Sequence, residues 1–239
     1  MRSPYGLDVV GDCADCKLRS EGFFCDLQPN VLERFESLKY ASVFPKGALL
    51  FVEGQLPRGV FMLCVGRVKL TAGSASGKTI ITHIANAGEV LGLSATVSGT
   101  PYEATAESLE PCQVNFIKRD DFLRFLTQEG EACLRVAQHL SNAYRFATEQ
   151  ARSLGLSEST GEKLAHLILG WSEQAGKQTD KGISLKLTLT HEEIAQSIGS
   201  ARETVTRLLS DLKKKQIISI KGSTLIIRNK AALEVMVGA

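Results

Sequence analysis

Two groups of side chains in this sequence are spaced to do chemistry. In the segment DCADCKLRSEGFFCDL, Cys13, Cys16 and Cys25 follow a C-x2-C-x8-C pattern. Thiolates two residues apart can converge on one metal or cluster, and a fourth cysteine from elsewhere would complete a four-thiolate set. Cys112, in the strand-like CQVNFI, and Cys64, in FMLCV, are the candidates for that fourth place. Cys112 shares its strand face with Val114 and Phe116, and in both segments a free cysteine can equally be a small core residue. From the spacing alone an iron-sulfur centre, a zinc site, a thiol-disulfide switch and no metal all stay open.

The second group lies in THEEIAQSIGSARETVTR, from Thr190 to Arg207. Thr190 with Glu193, and Ser200 with Glu203, each match the S/T-x-x-E capping box, which predicts two short helices turning at Gly199. On the second helix Val205, Leu208, Leu209 and Leu212 recur at spacings of three and four, a buried stripe that leaves Arg202, Glu203, Thr206 and Arg207 outward. In the major groove an arginine fork can donate to guanine O6 and N7, and a carboxylate can accept from cytosine N4. An isolated Arg-Glu-x-x-x-Arg string would more simply be a cap and two solvated arginines. Here Lys213, Lys214 and Lys215 follow, and residues 200–230 carry eight Lys or Arg against Glu203 and Asp211. Phosphates attract such a surface whatever the base sequence. The next segment, IISIKGSTLIIRN, alternates around Gly222 as a hairpin wing would.

The elements that must hold these groups are readable in outline. Between Ser42 and Lys118 the segments ALLFVE, GVFMLCV, RVKLTA, KTIITHI and CQVNFI are strand-length, and PKG, EGQ, ASGK and NAGE punctuate them; a β-roll of jelly-roll type is expected. A helix follows from about Asp120 to Leu154. In it Cys133, Ala137, Leu140, Tyr144, Ala147, Ala151 and Leu154 form a heptad seam that calls for a partner, and a two-fold homodimer would match a palindromic operator. The expected division is a cysteine-rich segment over 1–30, a roll over 31–118, a dimerisation helix over 119–155 and a winged helix-turn-helix over 156–239, in an α+β fold.

Composition agrees. The 239 residues are 44% hydrophobic without an apolar run long enough to span a bilayer, and Met1–Val10 lacks the pattern of a secretory signal, so a soluble cytoplasmic protein with six thiols rather than disulfides is expected. Residues 157–239 hold twelve Lys or Arg and nine Asp or Glu, a net of +3, against −1 for the remainder. His83, His139, His166 and His191 are scattered with no nucleophile at a recognisable turn beside them, so no enzyme is expected. The SASGK string lacks phosphate-loop spacing and reads as a hairpin.

On LTHEEIAQSIGSARETVTRLLSDLKKKQIISIKG, and on EGQLPRGVFMLCVGRVKL and GEVLGLSATV in the roll, the chain resembles the regulators of the cyclic-AMP receptor protein and fumarate-nitrate reduction superfamily (CRP/FNR). That resemblance implies a parallel homodimer through the long helix, RNA polymerase as a partner, and double-stranded DNA with TGTGA-like half-sites. It places Thr190, Ser200, Arg202, Glu203, Thr206, Arg207, Lys213 and Lys214 at the DNA. The FNR branch holds a 4Fe-4S cluster through an N-terminal cysteine group and one roll cysteine, which carries over to Cys13, Cys16, Cys25 and Cys112. The pattern departs in two respects: the third interval is longer, and the roll position falls near Asn115, three residues past Cys112. The CRP branch instead binds a cyclic nucleotide through a Gly-Glu-Leu turn and an Arg-Ser/Thr pair. Here the turn is Gly92-Leu93-Ser94, and Tyr102 and Glu103 stand where that pair would, so cyclic AMP is not expected. Another small ligand in the roll, or an architectural DNA binder without a cofactor, are the alternatives.

Overall fold

The computed structural model describes residues 5–238 apart from 8, 15, 20–21, 75–76, 78, 157–158 and 188. The chain divides into two compact units, Met1–Tyr144 and Arg145–Ala239. In the first, α1 (Pro29–Ser37) precedes eight strands: β1 (Tyr40–Phe44), β2 (Leu49–Phe51), β3 (Gly59–Val65), β4 (Arg67–Gly73), β5 (Thr79–Asn86), β6 (Val90–Leu91), β7 (Thr105–Ser108) and β8 (Cys112–Lys118). A short α2 (Leu93–Ser98) lies between β6 and β7, and α3 (Arg119–Gln128) and α4 (Gly130–Leu156) follow the roll.

The strands form two four-stranded antiparallel sheets, ordered β1-β8-β3-β6 and β2-β7-β4-β5. Because side chains alternate across a strand, β3 and β8 serve two cores at once. Phe61 and Leu63 of β3 join Cys112 and Val114 of β8 in one cluster with Phe51, Val68, Tyr102 and Ala106. Val60, Met62 and Ile117, on the opposite faces, join Phe24, Leu27, Phe35, Phe122, Phe125 and Val136 under the helices. Phe24 is the hub of the second cluster, its ring centroid 5.1 Å from that of Phe35 and 5.9 Å from that of Phe122.

The single helix expected from Asp120 to Leu154 is two. Glu129 is extended (φ −116°, ψ 92°), and the chain restarts at Gly130. The buried stripe of α3, Phe122 and Phe125, belongs to the roll's helical core rather than to the seam. Along α4, Cys133, Ala137, Tyr144, Ala147 and Ala151 are exposed in the single chain while Leu140 is half-buried; Leu154 lies outside the described side chains. Of the SASGK hairpin, residues 75–76 and 78 are outside the described set, with β4 and β5 pairing antiparallel on either side.

In the second unit α5 (Thr160–Ala175) is followed by β9 (Lys177–Thr179) and β10 (Gly182–Lys186). Then come α6 (His191–Ser197), α7 (Arg202–Lys214), β11 (Ile218–Lys221), β12 (Thr224–Ile227) and α8 (Lys230–Met236). The wing hairpin β11–β12 is part of a sheet ordered β11-β12-β10-β9. Val205, Leu209 and Leu212 of α7 are buried, as are Leu164 and Ile168 of α5 and Ile194 and Ile198 of the α6 region, and α7 packs against both α5 and α6. Among the described residues no helix is long and apolar enough to cross a membrane.

Candidate nucleic-acid interface and cysteine site

The α6–turn–α7 unit is locked by local chemistry. The Thr190 hydroxyl accepts from the Glu193 amide at 3.2 Å while the Glu193 carboxylate accepts from the Thr190 amide at 2.8 Å, so the first capping box is complete. The second does not form. Gly199 takes a left-handed conformation (φ +61°), which turns the Ser200 amide back to the Ala195 carbonyl at 2.9 Å. The helix then starts one residue later, with Ala201 as an N-cap that makes no side-chain bond, and Glu203 at the second helical position instead of the third. Thr206 donates to the Arg202 carbonyl and shares a 2.9 Å hydrogen bond with His191 Nδ1, tying the two helices together.

Arg202, Glu203, Thr206, Arg207, Ser210, Asp211 and Lys214 line one open groove along α7. Arg202, Glu203, Thr206, Arg207, Lys213, Lys214 and Thr190 are exposed, and Ser200 is half-buried. Glu203 stands in the first turn and Lys213 and Lys214 in the last, so this helix has charges that complement its own dipole and a cationic end free to meet phosphate.

The cysteines occupy a second place. Cys13, Cys16, Cys25 and Cys64 line one small enclosed cavity with Lys39, Met62 and Asn115. Several anchors bring the N-terminal segment there. The buried Gln113 amide of β8 pairs with both backbone groups of Val10 at 2.7 Å, and Glu36 accepts from the Cys13 amide at 3.0 Å. Lys39, ion-paired to Glu36, donates to the Gly11 carbonyl and to Cys13 Sγ, each at 3.2 Å. Three of the four sulfurs receive an N–H: Cys13 from Lys39, Cys16 from the Leu18 amide at 3.4 Å, and Cys64 from Asn115 Nδ2 at 3.2 Å. Cys25 is instead covered by Gly22, where any Cβ would stand 2.3 Å from its sulfur.

Cys112 is not in this cavity. It is fully buried between the two sheets beside Val114, and the strand alternation that faces it there turns Asn115 toward the cysteines. The fourth thiol is Cys64. The β3–β8 register slips between Leu63, opposite Val114, and Val65, opposite Gln113, leaving Cys64 as the extra residue of a bulge. Cys133 is exposed on α4, away from the group. Burial pushes the Cys64 thiol up to about 12 and the Cys25 thiol to about 11, and the neighbouring sulfurs push each the same way. The Cys13 thiol is also raised by burial, with the Lys39 hydrogen bond opposing it. Asn115 Oδ1 is buried with no hydrogen-bond partner among the described residues. As arranged, no three His, Cys, Asp or Glu side chains among the described residues stand ready to hold a metal ion.

Models of two known domains match the chain: a cyclic nucleotide-binding domain over residues 41–129 and a Crp-like helix-turn-helix domain over residues 162–236. The chain belongs to the CRP/FNR superfamily of transcriptional regulators. It is 29% identical over 194 residues to the global nitrogen regulator of Synechococcus elongatus, covering 80% of this chain and 86% of the relative. It is 27% identical over 205 residues to the anaerobic regulatory protein of Bacillus subtilis, covering 85% and 86%. Its fold is similar to that of FixK2 from Bradyrhizobium japonicum, with a TM-score of 0.75 at 20% identity, covering 84% of this chain and 98% of that one.

The resemblance implies that Tyr102 takes the place of the phosphate-holding arginine of the CRP branch. This tyrosine is 3% exposed, stacks on Phe51 with centroids 4.1 Å apart, and donates its hydroxyl to the Gly59 carbonyl at 2.9 Å. At Gly92, left-handed at φ +72°, a Cβ would meet the Tyr102 ring at 2.7 Å. Glu103 accepts from Ser94 at 2.8 Å. The histidines are dispersed: His83 pairs with Glu89 at 2.6 Å, His139 lies against Phe23, His191 against Thr206, and His166 is exposed.

Proposed function

We propose that this regulator binds palindromic double-stranded DNA as a homodimer and takes its signal, oxygen or redox state, at the four-cysteine cavity. The observation that carries the sensing half is the convergence of Cys13, Cys16 and Cys25 with Cys64 under three N–H donors. Four thiolates are a soft set that suits an iron-sulfur cluster or zinc, and N–H groups aimed at sulfur are among the features that set a cluster's potential. Such a centre would supply a redox- or metal-dependent tie between the N-terminal segment and the roll. Cys13, Cys16, Cys25 and Cys64 would hold it, replacing the set that ends in Cys112. The sulfurs line one cavity without yet being poised on a common ion, so closing on a ligand takes at least a change of cysteine rotamer. The likeness to the anaerobic regulatory protein of Bacillus subtilis favours the same signal. Cyclic AMP is not the effector in this reading, because Tyr102 and Phe51 fill the roll interior where its phosphate partner would stand.

For the DNA half, Arg202, Glu203 and Arg207 read bases in TGTGA-like half-sites, while Thr190, Ser200, Lys213 and Lys214 hold the backbone. The exposed seam of α4 from Cys133 to Ala151 supplies the dimer contact, and RNA polymerase is the expected downstream partner. Anisotropy titrations with specific and random duplexes test this. Arg207→Ala should cost about 1–3 kcal/mol on the specific duplex only, and Lys214→Ala should weaken both and reduce the salt slope by about one. Equal losses on both duplexes from both variants would refute base readout. The sensing half is tested by assaying iron, acid-labile sulfide and zinc in protein purified without oxygen. About four irons and four sulfides indicate 4Fe-4S, and about one zinc without sulfide indicates a structural site. Cys64→Ser should abolish the content and Cys112→Ser should leave it; the reverse result refutes the assignment of Cys64.

A further inference from the structure

The turn that carries Cys25 has two sides. One presents the sulfur to the cavity; the other is fastened to α4. Phe24 and Leu27, buried in the helical core, fix the turn's depth, and the Phe23 amide donates to the Gly88 carbonyl at 3.0 Å. Above it the Arg135 guanidinium is only about a quarter exposed. It donates to the Phe23 carbonyl at 3.4 Å and the Asp26 carbonyl at 3.5 Å, pairs with the Asp26 carboxylate, and is held by Glu131 of its own helix at 3.0 Å. One helical turn on, the His139 ring lies 4.6 Å from the Phe23 ring, tilted at 57°. Phe23, two residues before Cys25, and Asp26, immediately after it, are thus hydrogen-bonded to Arg135, and the Phe23 ring packs on His139 one turn further along α4, the helix whose exposed seam begins at Cys133.

We propose that Arg135 and His139 are a latch by which the state of the cysteine site is delivered to α4. The proposal rests on the four cysteines being the sensing site. The Cys25 sulfur fills the space beside Gly22 that a Cβ would need, so the turn is packed closely around this side chain. A ligand that draws Cys25 toward Cys64, or a loss that releases it, moves Phe23 and Asp26 with it. A charged fork with two backbone carbonyls and a carboxylate as partners has a directional demand that a lysine cannot reproduce. Arg135 is therefore a positioning residue: it touches no sulfur and acts through the turn.

The test uses the full chain purified without oxygen, as native protein, Arg135→Gln and Asp26→Asn, before and after exposure to air. Two quantities are read separately: thiol, iron and zinc content at the cysteines, and affinity for one fixed palindromic duplex with the dimer constant from sedimentation. All three proteins should show the same starting content and the same change in air. The DNA affinity of the native protein should change by about 5- to 150-fold, the usual span of allosteric coupling, and that of both variants by much less. Variants that respond as the native protein does would overturn the latch and leave the sensing reading intact. Variants whose cysteine content is already lost before exposure would also overturn it, making Arg135 a support of the fold only. A native protein whose cysteines change without any change in DNA affinity would sink the sensing reading and the latch with it.

Discussion

Strands β3 and β8 present two faces with opposite characters. Toward the other sheet they offer Phe61, Leu63, Cys112 and Val114, closed over by Phe51 and Tyr102 with the tyrosine hydroxyl satisfied. Toward the helices the same strands offer Met62, Cys64 and Asn115 to a cavity lined by thiols, with one amide oxygen that finds no partner among the described residues. A buried polar atom without a partner costs about 1–3 kcal/mol and calls for a reason. One face is finished for stability. The other keeps polar, soft atoms where apolar ones would fold better, the arrangement expected where a ligand or a redox change has to be admitted.

Removing a side chain from each face should break the symmetry most clearly. Tyr102→Ala opens a cavity in a closed aromatic stack and should lose about 3–5 kcal/mol of stability, as buried aromatic truncations do. Asn115→Leu removes the orphaned oxygen at similar volume and should fall within about 1 kcal/mol of the native protein, on the stabilising side if the cavity is dry. Urea unfolding of metal-free protein measures both, and a large loss from Asn115→Leu would show that the amide, not the sulfurs, organises the cavity. Alkali sharpens the contrast. Cys25 and Cys64 have thiols raised by burial above their unfolded value of 9.0, to about 11 and about 12, so the folded state keeps protons that the unfolded chain releases. Stability is then full below pH about 9 and falls as pH rises toward 12, and Cys64→Ala should flatten that decline by about one proton; an unchanged slope contradicts the burial of this thiol. The smallest effect expected is none. Calorimetry with cyclic AMP at millimolar concentration should give no saturable heat, and micromolar binding coupled to tighter DNA binding would reopen the first face as a sensor.

Much of this was legible in residue spacing, for reasons that explain where it stopped. The stripe of Val205, Leu209 and Leu212 obeys helical periodicity over about two turns, so burying it exposes Arg202, Glu203, Thr206 and Arg207. The wing follows from alternation around Gly222, which is left-handed at φ +58°. Cys13, Cys16 and Cys25 announce themselves by proximity in the chain. The choice between Cys64 and Cys112 depends on which face of a roll the helices cover, and on a bulge at Cys64, neither of which leaves a mark on spacing. The Ser200 capping box failed by one residue, because a left-handed glycine can turn the chain without announcing where the next helix begins. The break at Glu129 was hidden for a related reason: Gly130 interrupts a pattern that remains apolar on both sides. Strands β1, β6, β7, β9 and β10 are short, and β6 and β9 have two and three residues, too few to show a period of their own.

The ring of Tyr102 bears on how this roll answers the cell's nucleotide pool. Its hydroxyl is bonded to the Gly59 carbonyl and its ring is stacked on Phe51, but it arrives on its own backbone. A tethered group competes at an effective concentration in the millimolar range or above, set by the tether rather than by supply. Any free molecule seeking that space faces a competitor that is never diluted, exported or hydrolysed. The part of the interior that the Tyr102 ring fills is thus held by the chain itself, at a concentration set by the tether rather than by supply.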